Sequence, residues 1–121
     1  MRVGVDLIEI ERIRRALERH GDGFRERCFT DAEIEYCESK ANPVQSYAGR
    51  FAAKEAVGKA LGCGVYFTWK EIEVRGRPKP GVHLSGRTAR WAVERIGDVH
   101  VELSMTHSRE LAAAVAVVVD E

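Results

Sequence analysis

An aspartate near the start of the chain and an acid–base pair in its middle are the side chains whose types could do chemistry together. Asp6 stands in GVDLIEIERI, and Glu55 and Lys59 stand one helical turn apart in RFAAKEAVGKA. Two carboxylates from separate elements, with a lysine beside them, make a site for a hard divalent cation such as magnesium. That ion takes one or two protein carboxylates and fills its other positions with water and phosphate oxygens. Such a site handles a polyphosphate. Each part alone has a plainer account: an aspartate on an apolar strand can simply face solvent, and an acid one turn before a base is a surface ion pair of roughly 0.3 to 0.5 kcal/mol. The chemical reading depends on Asp6 and Glu55 converging.

The elements that must position them are legible in the pattern. Val3, Val5 and Leu7 alternate with Gly4, Asp6 and Ile8, which predicts a short strand with Asp6 on its second face. Gly4 marks a point where something comes close to the backbone. Ile10, Ile13 and Leu17 recur at helical spacing over residues 9–20, and Gly21-Asp22-Gly23 stops that helix. Thr30 with Glu33 forms a capping-box pattern for a second, short helix that ends before Asn42-Pro43. The longest helical stretch, 44–61, is rich in alanine and closed by Gly62. Strands follow at 71–75 and 82–84 around a Gly76-Arg77-Pro78 turn, then a helix over 86–96. Val99, Val101, Leu103 and Met105 alternate strictly, and 111–119 is an almost unbroken apolar run, so two strands joined at His107-Ser108-Arg109-Glu110 close the chain. The expected architecture is α+β: one small domain over residues 1–121, its mostly antiparallel sheet packed with the long central helix.

On a helical wheel, Ala52, Ala53, Ala56, Val57, Ala60 and Leu61 occupy the core half of that central helix. The other half carries Arg50, Lys54, Glu55 and Lys59, with Tyr47 and Phe51 standing among the charges. A purely solvated face rarely holds two aromatics, so something other than water is expected to cover it. Arg50 and Lys54 form a like-charge pair costing about 0.2 to 0.5 kcal/mol, which an anion held between them would relieve. Ala48 and Ala52 share a stripe with Glu55 and Lys59, and their small side chains would admit a strand or a ligand. On the first helix, Arg12, Arg15 and Arg19 line up opposite Ile10, Ile13 and Leu17, a positive face on a chain of zero formal charge. Glu11 and Glu18 are spaced to pair with Arg15, so an ordinary solvated helix is the plainer account.

The totals bound the classes. With 121 residues there is room for one core. A balance of 19 basic and 19 acidic residues gives no ground for nucleic-acid binding or disorder. Cys28, Cys37 and Cys63 fall in no metal-binding spacing and are odd in number, which fits a reducing compartment better than a disulfide framework. With no apolar run of membrane-spanning length and no signal-peptide pattern, the expected location is the cytoplasm.

Two strings then carry a resemblance across essentially the whole chain. Gly4-Val5-Asp6 with Arg12, and the aromatic-x-x-Lys-Glu-Ala-x-x-Lys-Ala string from Phe51 to Ala60, resemble the signatures of the holo-acyl-carrier-protein synthases, the short-chain 4′-phosphopantetheinyl transferases. Gly76-Arg77-Pro78 is similar to the family's Gly-Lys-Pro turn with Arg for Lys, and LSMTHSRELAAAVAV to its closing hairpin.

The resemblance implies that a phosphopantetheine arm passes from coenzyme A to a serine of an apo acyl carrier protein, leaving adenosine 3′,5′-bisphosphate. It implies magnesium at Asp6 and Glu55, with Lys59 near the attacked phosphate. Arg50, Arg77, Pro78 and His107 would line the coenzyme A site, and Arg77 could grip a phosphate bidentately where lysine acts as a point charge. The serine's proton would go to Glu55, to a metal-bound water that Glu55 orients, or to His107. An acidic carrier, serving fatty-acid or polyketide synthesis, would dock on Arg12, Arg15 and Arg19. Family members of this length commonly assemble as trimers with the site between subunits, which the resemblance extends to this chain. Two other classes fit the same residues: a magnesium-dependent nucleotide hydrolase, which needs no basic stripe, and a non-catalytic module binding an acidic protein.

Overall fold

The computed structural model describes residues 1–63, 68–76 and 80–120, and among these it has five strands and five α-helices. Strand β1 (Arg2–Glu9) runs into α1 (Ile10–His20), followed by α2 (Asp22–Cys28), α3 (Asp31–Glu38) and α4 (Pro43–Leu61). A 3-10 turn at Trp69–Glu71 then leads to β2 (Ile72–Arg75), β3 (Gly81–Leu84), α5 (Gly86–Arg95), β4 (Val99–His107) and β5 (Leu111–Asp120). The alternating and apolar strands form an antiparallel sheet in the order β1-β5-β4, and β2 and β3 pair separately as a two-stranded sheet. The α+β arrangement expected from the sequence is the one found.

Helix α4 lies across the inner face of the three-stranded sheet, and small residues on both sides set the distance. Ala112, Ala114, Ala116 and Val118 of β5 are buried against Ala48, Ala52, Ala53, Ala56 and Ala60 of α4. Gly4, opposite Ala116 in the register, marks the tightest point. A Cβ there would stand 2.0 Å from the backbone oxygen of Ala56 and 2.6 Å from the nitrogen of Ala60. The close approach expected at Gly4 is thus made by the backbone of α4. The helix starts on Pro43, with Asn42 accepting from the Gln45 N–H at 3.2 Å, and stops at Gly62 in the left-handed conformation. The Thr30–Glu33 capping box opens α3.

Two expectations need correction. Gly21, at φ 50°, does end α1, but Asp22 and Gly23 begin another helix instead of a loop. Phe24 and Cys28 of α2, one turn apart, pack toward the core, and that burial outweighs the glycine's propensity cost. The second correction concerns the charged half of α4. Lys54 faces no anion from outside: it is fully buried, donating from Nζ to Glu33 Oε1 at 2.7 Å, the Trp69 carbonyl at 2.9 Å and the Ile72 carbonyl at 2.7 Å. Burial pulls its pKa down while the charge of Glu33 opposes the shift. Phe51 stacks on Trp69 at 4.5 Å, and Tyr47, fully buried, gives its hydroxyl to Glu38. What covers these aromatics is α2, α3 and the 3-10 turn of the same chain.

The three cysteines are buried and free, and burial pushes the Cys37 thiol up to about 12. No helix of the described residues is long and apolar enough to cross a membrane. The first turn of α5 is capped from a distance. Glu71 accepts from the N–H groups of Arg87 and Thr88, both at 3.1 Å, and from the Thr88 hydroxyl at 2.8 Å. Burial works against that carboxylate's charge, but the bonds from Thr88 and Arg87 outweigh it and hold its pKa below the ordinary range.

Two consequences are measurable by urea denaturation. Gly4→Ala must push β1 off α4 and costs about 3 kcal/mol, because the obstructing atoms are backbone and cannot rotate away. Glu71→Gln costs about 1 kcal/mol at neutral pH. Since the carboxylate's pKa is depressed on folding, the wild type's advantage holds above the unfolded glutamate range and disappears as pH falls through the folded value.

Candidate active site

Asp6 projects from the inner face of β1 toward the C-terminal half of α4, at the level that the Gly4 contact fixes. There Lys59 Nζ donates to Asp6 Oδ1 at 2.9 Å and to the Val5 carbonyl at 3.1 Å. Glu55 lies one turn back on the same side of the helix. Burial raises its pKa, the negative charge of Asp6 raises it further, and Lys59 and Arg12 pull the other way. Asp6, Glu55 and Lys59 therefore converge, and the lysine that the plainer account pairs with Glu55 alone is anchored on Asp6. The ammonium is half-exposed, so the cluster opens to solvent.

Two mutually repelling carboxylates in one place are a donor set for a divalent cation. Among the described residues no group of three or more His, Cys, Asp or Glu side chains could hold a metal. Asp6 and Glu55 bring two oxygen-bearing side chains, a donor set of the size magnesium takes, since that ion keeps several waters and shares phosphate oxygens.

The other expected residues fall elsewhere. Arg50 is 6% exposed and forms part of the wall of a groove of about 990 Å³ that also touches Tyr36, Gly76, Pro80, Ser104 and Met105. Its guanidinium lies 3.8 Å over the Tyr36 ring, and the Lys40 ammonium lies 4.7 Å from the same ring. Arg50 Nε is buried with no hydrogen-bond partner among the described residues. A buried donor beside a groove needs an acceptor, and the described residues do not supply one. Arg77 and Pro78 lie outside the described residues, between Gly76 and Pro80, which do line the groove. His107 ends β4 with its ring exposed, opposite Ala112. Arg12, Arg15 and Arg19 are exposed along α1 as expected, while Glu11 pairs with Arg14 at 3.4 Å and not with Arg15.

The groove and the acidic pair do not form one site within the chain. Arg50 and Glu55 are about 140° apart around α4 at 3.6 residues per turn. Arg50 belongs to the groove along β4, Glu55 and Lys59 to the side of β1, and those strands are opposite edges of the sheet. Sequence reasoning missed Tyr36 and Lys40: they share no periodic pattern with the helix whose arginine they flank, and no signal in the sequence marks them.

Residues 2–116 match the family described as the 4′-phosphopantetheinyl transferase superfamily. The chain is 48% identical over 118 residues to the holo-[acyl-carrier-protein] synthase of Chlamydia felis, covering 95% of this chain and 93% of that one. It superposes on the Chronobacterium ammoniagenes ACPS–CoA complex with a TM-score of 0.87 and 31% identity, over 99% and 97% of the two chains. The Helicobacter pylori holo-[acyl-carrier-protein] synthase in complex with coenzyme A gives a TM-score of 0.83 and 30% identity, over 97% and 99%.

Magnesium at a hundredfold excess over its dissociation constant should stabilise the wild type by about 2.7 kcal/mol in thermal or urea melts. Glu55→Gln removes that gain and, with one of two repelling charges gone, melts no lower than the wild type without metal. An equal magnesium gain in the variant would place the ion elsewhere.

Proposed function

This chain belongs to the 4′-phosphopantetheinyl transferase superfamily, and from that membership we propose that it moves the phosphopantetheine arm of coenzyme A onto a serine of an apo acyl carrier protein. The observation that carries the assignment of the site is the meeting of Asp6, Glu55 and Lys59 at an open edge of the sheet. The serine oxygen attacks the phosphorus next to the pantetheine, the bond to the bridging pyrophosphate oxygen breaks, and adenosine 3′,5′-bisphosphate leaves. Magnesium, when bound by Asp6 and Glu55, supplies positive charge to the pyrophosphate. Lys59, anchored on Asp6, is aimed by that contact and donates to a phosphate oxygen as charge grows there. Glu55 takes the serine proton, directly or across one water.

Arg50, with Arg77, Pro78 and His107, receives the nucleotide end of coenzyme A. The unsatisfied Nε of Arg50 supports its part in this. Because the groove and the acidic pair lie at opposite sheet edges, a complete site takes both from different subunits. The outer face of the sheet supports such an assembly. Val3, Val5 and Leu7 are 60%, 57% and 63% exposed, and Val115, Val119 and Leu111 continue the apolar surface across β5. A lone soluble domain rarely leaves that much contiguous apolar sheet in water. Three copies of the chain cover it in a homotrimer. The aromatics Tyr47 and Phe51, compatible with an interface by sequence, are packed inside the subunit instead.

The exposed arginines of α1 dock an acidic carrier of fatty-acid or polyketide synthesis, and Arg12 lies close enough to Glu55 to influence its charge, so the docking face adjoins the site. A cytoplasmic setting, where thiols stay reduced, suits the free cysteines.

Intact-mass spectrometry of an apo carrier incubated with coenzyme A, magnesium and the protein should show the gain of one phosphopantetheine arm, and Glu55→Gln should abolish it. No gain with any divalent metal defeats the reading, and coenzyme A breakdown without carrier favours a hydrolase. Replacing Arg12, Arg15 and Arg19 by alanine should raise the carrier KM by about tenfold or more, with coenzyme A affinity retained. A Val5→Glu chain should sediment as a monomer and transfer nothing.

A further inference from the structure

Three walls of the Arg50 groove come from α3, which gives Tyr36, from α4, which gives Arg50, and from the β2–β3 hairpin, where Gly76 follows β2 and Pro80 precedes β3. All three are tied to one buried ion pair. Glu33 lies one turn before Tyr36 on α3, and Lys54 one turn after Arg50 on α4. Lys54 holds the carbonyls of Trp69 and Ile72, and Glu33 Oε2 accepts from the Val74 N–H at 2.9 Å, two residues from Gly76. Glu33 Oε1 receives Lys54 and also the Thr30 N–H at 2.9 Å.

A pair with both side chains 0% exposed is a poor source of stability, since stripping water from two charges offsets most of their attraction. Apolar residues of equal volume could fill the space. They could not accept from Val74 or Thr30, nor donate to Ile72, so those three backbone groups would lose the partner the pair supplies, while the Trp69 carbonyl keeps the Ile72 N–H. The contribution of the pair is geometric: it fixes how far the foot of the β2–β3 hairpin stands from α3 and α4, and so the width of the groove.

We infer that Lys54 and Glu33 are positioning residues for coenzyme A binding, setting the groove's width without touching the ligand. The inference rests on the reading of that groove as the nucleotide site. In Glu33→Gln the amide keeps the volume, but in either flip its NH2 group meets a donor, at Val74 on one side or at Lys54 and Thr30 on the other.

With carrier saturating, the KM for coenzyme A should rise about tenfold, as when one molecule in ten keeps the competent groove. The kcat should stay within about threefold of wild type. Calorimetric affinity for coenzyme A should fall by the same factor as KM rises, and amide exchange should quicken at residues 74–76. Glu71→Gln, which loosens α5 away from the groove, is the control: it should lower stability and leave the coenzyme A KM unchanged. A Glu33→Gln protein that melts lower yet keeps wild-type KM and affinity shows a merely structural pair and overturns the inference. Should that variant not fold, Glu33→Asp retains the charge and withdraws the carboxylate by one methylene. A raised KM is expected there too, and an unchanged one is equally fatal. A wild-type protein that binds no coenzyme A would bring down the reading of the groove itself, a result that no comparison among variants can imitate.

Discussion

The backbone-to-backbone approach of β1 and α4 is the constraint from which the rest of the structure follows. Gly4 lies against Ala56 and Ala60 with no room for a methyl group, and the facing residues of β5 are alanines. At that spacing Asp6, two residues beyond Gly4 on the same face, comes within hydrogen-bonding range of Lys59 and within electrostatic reach of Glu55. Bulkier residues at the contact would move the strand by ångströms, and a site made of short carboxylates tolerates far less.

Helix α4 serves two environments because its charged residues do not share a side. Lys54 is turned inward, where Glu33 and two carbonyls satisfy its ammonium. Arg50 borders the groove near β4, and Glu55 and Lys59 border the opposite edge near β1. One rigid element therefore transmits position to both half-sites, and a displacement of its neighbours is felt at each. The apolar outer face of the sheet belongs to the same logic, since the edge of the groove reaches Val115 and Val117 on that face.

The pattern of residues carried a large share of this. Alternation gave the strands, and the capping residues Thr30 and Gly62 gave the start of α3 and the end of α4, because each depends on local geometry that a few neighbouring residues settle. Asp6, Glu55 and Lys59 could be named as partners from their types and from two signature strings, and the α1 arginines from their spacing.

What a wheel could not decide was which charge on α4 meets water. Lys54 and Lys59 look alike in sequence, and only the packing of α3 and the 3-10 turn buries one and leaves the other open. The helix at Asp22–Cys28 was hidden for a related reason: its stability comes from tertiary burial of Phe24 and Cys28, against the local preference of Gly23. Tyr36 and Lys40 joined Arg50 only through the fold, since residues distant in sequence carry no mutual period. The sequence by itself determined most of the elements and their order, which follow from local spacing, and named the acidic residues through their types and two signature strings. The tertiary structure alone decided that Lys54 is a buried tie and that the acids and the groove lie on opposite edges, because burial and edge position are properties of how elements pack.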